Sequence, residues 1–284
     1  MKLAKFRTSL GRIGIAVVED ATAFPLDLGR VPGIETLADI LHAPDPRALV
    51  AKLHPGGDGV PLADVTVLAP VDRQEVWAAG VTYKRSKVAR EEESAGAAQF
   101  YDKVYSAARP ELFMKATWER VTDPGSPIRV RADSKWNVPE PELTLVVSPA
   151  LKIVGYTVGN DVSSRDIEGE NPLYLPQAKV YTGSCAIGPC VTLADAIPEL
   201  TKCEIRLLIR RGGEVAFDGS TSIAQMNRTP EYLVEWLGKD NAFPHGVLLM
   251  TGTGIVPPDA FSLSTGDSVD ISITGIGTLT NPVG

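Results

Sequence analysis

From Pro110 onward the chain is a succession of short runs rich in Val, Ile, Leu and Thr, each closed within a few residues by Gly, Pro, Asn or Asp. Branched side chains pack well on a pleated surface, and the closing residues favour turns, so this pattern predicts many short antiparallel strands. It argues against an alternating βαβ fold, which needs a helical stretch between successive strands. The breakers number 26 Gly and 22 Pro among 284 residues. That is about a sixth of the chain, below the roughly 25–30% typical of structureless sequences, so they act as turns.

Helical spacing is confined to a few places. Ile34, Leu37, Ile40 and Leu41 recur on one face until Pro44, and Asp45 before Pro46 is a sound start for a second short helix carrying Leu49, Val50 and Leu53. With strands expected over Lys2–Arg7 and Gly11–Glu19, and turn chemistry over His54–Gly59, a small α/β domain over 1–65 is predicted. A larger domain over 66–284 follows, with strands at Val65–Val71 and Val76–Val81 and helices over Lys84–Ala108 and about Pro230–Gly238. The expected class is α+β, mainly β.

Charge and cysteine usage narrow the function. Twenty-eight basic against thirty-five acidic side chains give a net −7, the wrong sign for a nucleic-acid or acidic-membrane binder. An anionic substrate would need a local cation. Cys185, Cys190 and Cys203 form no CxxC pattern and are expected to be buried thiols of a reducing cytoplasm. The apolar run Ile13–Val18 is too short for a secretory signal, and Asn241–Pro258 is too interrupted to span a bilayer.

The segment Val138–Asp166 carries most of the chemistry. Glu140 and Glu142 flank Pro141 and, two apart on a strand, share a face. A hairpin centred near Pro149–Ala150 sets Asp161 opposite Val138 or Pro139, a diagonal step from Glu140. Three carboxylates at one hairpin end repel unless a cation lies between them, and an all-oxygen donor set favours Mg²⁺, then Mn²⁺ or Ca²⁺. The other reading is a half-exposed strand with two solvent-facing glutamates and an aspartate capping a turn.

PEPEL, GYTVGNDVSSRD, YLPQAKVYTGSCAIGP and GIGTLTNPV, in that order from Val71 to the end, resemble the successive signatures of the fumarylacetoacetate hydrolase family. The resemblance implies a mixed β-roll with a variable N-terminal domain, a homodimer or dimer of dimers, and a divalent metal, usually Mg²⁺, on Glu140, Glu142 and Asp161. It implies Lys179 as the active-site lysine, acting at the carbon next to a ketone as base or through water. Arg165 matches an arginine suited to a substrate carboxylate or oxyanion, with pairing to Asp166 or Glu168 as the alternative. Lys115, Tyr83, Ser86 and Thr253 complete the expected substrate contacts.

Departures from the family pattern point to a subclass. Ser86 stands where the family's hydrolases place a water-activating histidine, and His42, His54 and His245 lie far from that segment. Tyr101–Lys115 together with RDIEGENPLYLPQAKVY resembles a branch that dehydrates 2-keto-3-deoxy pentonates, in which Glu168 would protonate a departing hydroxyl. The favoured expectation is therefore a Mg²⁺-dependent dehydratase giving 2,5-dioxopentanoate. The alternatives are an acylpyruvate- or fumarylacetoacetate-type hydrolase, a β-keto acid decarboxylase, and a metal-binding protein without turnover.

Overall fold

A computed structural model describes residues 1–84 and 103–284. Ser86 and most of the stretch expected to be helical over 84–108 lie outside the described residues. Among the described residues, no helix is long and apolar enough to cross a membrane.

Two sheets pack face to face around one core. The larger, of 12 strands, is mixed. Its central path runs Lys2–Arg7, Cys185–Leu193, Ile153–Asp161, Pro141–Val147, Val247–Met250, Glu75–Gly80 and Glu111–Ala116. Its neighbours are antiparallel except where Val247–Met250 runs parallel to Glu75–Gly80, and Cys185 and Ala186 parallel to Val121 and Thr122. All seven residues of Pro141–Val147 are buried, as a strand covered on both faces requires. This explains why its part from Leu143 to Val147 is mostly apolar.

The smaller sheet is antiparallel, in the order Glu214–Ser222, Glu204–Arg211, Ser268–Ile273 and Gly277–Pro282. Strict alternation places Ile205, Leu207, Ile209, Val269, Ile271 and Ile273 on its inner face. There they meet Leu143, Leu145 and Val158 of the large sheet and Leu233, Val234 and Leu237 of the helix Pro230–Leu237. Each such side chain, fully buried, contributes about 1.5–3 kcal/mol of hydrophobic free energy.

The second N-terminal helix begins at Asp45 and Pro46 as expected, and the first begins on a cap that the structure reveals. Thr36 and Asp39 form a reciprocal capping box on Leu37–Leu41, and Asp45 caps Pro46–Leu53 with Pro46 in the first turn. Both helices cover Ile15, Val17, Val146 and Val191. The N-terminal strands add to the large sheet through Leu3 opposite Val191. The first 65 residues therefore have their own helices but no separate sheet. Cys185, Cys190 and Cys203 are free and buried.

The hairpin carrying the acidic residues differs in register from the sequence expectation. Pro141 pairs with Asn160 and Glu142 with Gly159, and the Asp161 N–H donates to the Glu140 carbonyl at 3.0 Å. Asp161 is thus level with Glu140 itself. The cause is an irregularity between Val146 and Val147, where one extra residue enters the strand beside the turn. Such a bulge shifts every pairing beyond it by one, which no count from the turn centre includes.

Candidate active site

Glu140, Glu142 and Asp161 are 4%, 1% and 1% exposed, and each offers an oxygen within 4.8 Å of the other two. The two glutamates share a strand face, and Asp161 ends the partner strand beside them. Burial first, and the neighbouring Asp161 and Glu140 carboxylates second, push the Glu142 carboxyl well above its ordinary range. Three buried acids this close fit a hard divalent cation, which would relieve that repulsion with oxygen ligands alone.

Lys179, the last residue of the helix Leu175–Lys179, is 1% exposed. Its Nζ donates to Glu140 Oε2 at 2.6 Å, to Asp161 Oδ2 at 2.9 Å and to the Ser163 hydroxyl. All three contacts direct the Lys179 Nζ at the acids and at Ser163.

Arg165 opens the helix Arg165–Glu170, and Glu168 stands one turn on, so both reach the same cavity. The Arg165 guanidinium donates through Nε at 3.1 Å and Nη2 at 2.7 Å to Glu140 Oε1. It therefore fixes a carboxylate of the cluster. Asp166, its alternative partner in the sequence reading, instead accepts from the Ser134 hydroxyl and the Lys135 N–H.

The Gly252 N–H donates to Glu142 Oε2 at 2.6 Å. Gly252 has φ +88°, and a Cβ there would overlap the Thr82 side chain and lie 2.9 Å from the Ala79 carbonyl. Only glycine brings a backbone donor this close. Val81, on the cavity wall, has φ +53°, a left-handed conformation costly for a branched residue.

A cavity lies over the acids. Glu140, Glu142, Asp161, Lys179, Arg165, Glu168 and Thr253 line it, as do Gly80, Glu111 and Phe113. A second cavity, walled by Val104, Pro110, Pro172 and Leu175, shares Glu111 and Glu168 with the first.

Two expected substrate contacts need correction. Lys115, 0% exposed, is not among the lining residues. It lies behind Asp161, with Nζ 2.5 Å from Oδ1, and donates to the Val162 and Lys179 carbonyls at 3.0 and 2.5 Å. Tyr83, 1% exposed, is also behind the wall, where burial and then the Glu142 carboxylate raise its phenol pKa. Thr253 lines the cavity, but its hydroxyl bonds the Ile255 carbonyl at 3.2 Å.

Glu111 was missed by sequence reasoning. It opens the strand Glu111–Ala116, whose residues 111, 113 and 115 share a face, and its carboxyl lies over Gly80, the residue opposite on the next strand. The signal was present as an E-x-F-x-K alternation ending on Lys115. Without the pairing to Gly80, however, it is indistinguishable from a surface strand.

The fumarylacetoacetate hydrolase C-terminal family model matches residues 75–284. The chain is 48% identical over 266 residues to the probable 2-keto-3-deoxyxylonate dehydratase of Haloferax volcanii, covering 93% of this chain and 91% of that protein. It is 39% identical over 281 residues to the 2-dehydro-3-deoxy-D-arabinonate dehydratase of Saccharolobus solfataricus, covering 95% and 92%. Among solved structures, 2-keto-3-deoxy-D-arabinonate dehydratase complexed with magnesium and 2,5-dioxopentanoate superposes with a TM-score of 0.84 at 38% identity, covering 100% of this chain and 98% of that one.

Proposed function

The chain belongs to the fumarylacetoacetate hydrolase family, and from that premise we propose that it is a Mg²⁺-dependent dehydratase converting 2-keto-3-deoxy-D-arabinonate or D-xylonate to 2,5-dioxopentanoate. One observation carries this reading: two carboxyls, Glu111 and Glu168, line the same cavity as the buried Glu140–Glu142–Asp161 cluster. The relative that superposes on this chain holds magnesium and 2,5-dioxopentanoate, which supports the choice of metal and product.

Glu140, Glu142 and Asp161 would hold the ion. When bound, it supplies Lewis-acid polarisation of the substrate's C2 carbonyl, which acidifies the C3 protons. The residues of the chain do the rest. Glu111, as carboxylate, removes a C3 proton, while the Lys179 Nζ is engaged with Glu140, Asp161 and Ser163. Lys179 and Arg165 keep Glu140 and Asp161 in position. Glu168, carrying a proton, gives it to the C4 hydroxyl, which departs as water and leaves a C3–C4 double bond. The Glu168 carboxylate then takes a C5 proton, and protons returned to C3 and C4, with loss of the C5 hydroxyl proton, leave the C5 aldehyde.

The C–C hydrolase alternative needs a group to activate water. None of His42, His54 and His245 is among the described residues lining the cavity. A small N-terminal domain over 1–65, action in the cytoplasm and a homodimer or dimer of dimers complete the proposal. Buried free thiols support the compartment, and family resemblance supports the assembly.

The test is direct. Purified protein with Mg²⁺ and 2-keto-3-deoxy-D-arabinonate or its D-xylonate counterpart is expected to yield an aldehyde that an NAD⁺-dependent aldehyde dehydrogenase oxidises. Release of pyruvate from an acylpyruvate, with no aldehyde from the keto-deoxy acids, would replace this reading by the hydrolytic one.

A further inference from the structure

Every oxygen of Glu140 and Asp161 already faces a fixed cation. Arg165 holds Glu140 Oε1 at 2.7 Å, and Lys179 holds Glu140 Oε2 at 2.6 Å and Asp161 Oδ2 at 2.9 Å. Lys115 holds Asp161 Oδ1 at 2.5 Å. Three cations are thus in direct contact with Glu140 and Asp161, while Glu142 has the Gly252 N–H. Glu111 and Glu168 line the outer wall and have partners of their own.

The cations cannot retreat. Lys115 is 0% exposed, and Lys179 and Arg165 are 1% exposed. The Lys115 ammonium also holds the carbonyls of Val162 and Lys179, which ties it to the chain beside Asp161 and to the end of the lysine helix. A divalent ion entering this floor would therefore have to share Glu140 and Asp161 with cations already in contact with them, in a site where little water screens like charges. A 2-keto acid reaching the ion through its carboxylate and ketone supplies both negative charge and oxygen ligands.

We propose that Lys115, Lys179 and Arg165 neutralise the carboxylate cluster in advance, so that the divalent ion and the 2-keto acid bind cooperatively and neither binds tightly alone. This rests on the metal-centre reading above. Lys115 acts through Asp161 and touches no substrate; it is a positioning residue that also sets the charge of the floor. Linkage makes the effect reciprocal: whatever factor the acid adds to ion affinity, the ion adds to acid affinity.

Calorimetric titration of Mg²⁺ into the full chain, with and without saturating pyruvate, tests this. Pyruvate is expected to tighten Mg²⁺ binding by about ten-fold or more. K115M is expected to bind Mg²⁺ alone more tightly than the unmodified protein, with a smaller factor on adding pyruvate, because one opposing charge is gone. Damage to a scaffold would move affinity the other way. A folded K115M with weaker or unchanged Mg²⁺ binding overturns the proposal. R165Q removes a different cation from the same floor, and the same sign is expected if K115M does not fold. Equal Mg²⁺ affinity in both arms of the unmodified protein overturns the cooperativity and leaves the metal centre standing. No Mg²⁺ binding in either arm overturns both.

Discussion

Glu111 can fold over the cavity wall because the residue opposite it has no side chain. A Cβ on Gly80 would overlap the Glu111 carboxyl, the far end of a flexible side chain that can swing aside at little cost. G80A is therefore expected to keep its unfolding midpoint while kcat falls by about 10–100-fold, since small misplacement of a reacting group costs that much. A G80A variant with full activity would remove Glu111 from the role of base. Residue-scale chemistry was only partly legible. Glu140, Glu142, Asp161, Arg165, Glu168, Lys179 and Thr253 lie on the cavity, whereas Lys115 and Tyr83 lie behind it. A lysine that reaches a site from behind has the same spacing in sequence as one that reaches it from in front.

At the scale of elements, the hairpin Pro141–Asp161 sets the site's geometry. Gly159, opposite Glu142, lets the strands close, for a Cβ there would overlap Thr144 and stand 2.8 Å from Met250 Cε. Both neighbours are buried, so G159A is expected to cost about 1–3 kcal/mol in denaturant unfolding by overpacking. It should also weaken Mg²⁺ binding, because Asp161 is two residues along the same strand. The smaller sheet offers a pH test. Burial works to raise the pKa of the 1% exposed Asp267, but the Arg211 guanidinium and the Ser264 N–H outweigh it and hold the carboxyl below its ordinary range. A lowered folded pKa stabilises above the unfolded value and is lost as pH falls through the folded one. D267N is expected to lower the unfolding midpoint at pH 7 and to differ little from the unmodified protein once pH is below the folded pKa. A D267N deficit that persists at the lowest pH would mean that packing, not the charge, sets the effect.

At the scale of the whole molecule, the acids and cations of the site come from three strands of one large sheet, the residue before one of them and two helices. Ligands that bind there brace the fold against global unfolding. Mg²⁺ with pyruvate, at about 100 times their dissociation constants, is expected to add about 2.7 kcal/mol and to raise the thermal midpoint by several degrees. EDTA should abolish the shift, and an unchanged midpoint would show that the pair does not bind the native state. Legible in the chain alone were the class of fold, the start of the second N-terminal helix at Asp45 and the grouping of Glu140, Glu142 and Asp161, because strand alternation, capping and hairpin return are local properties of a chain. Folding alone set which residue faces Asp161, that Glu111 shares the cavity, that Lys179 bonds three acceptors and that Lys115 lies behind Asp161. Those facts depend on a one-residue bulge and on pairings between distant strands, and the free energy that selects them is spread over the packed sheet and written in no single segment.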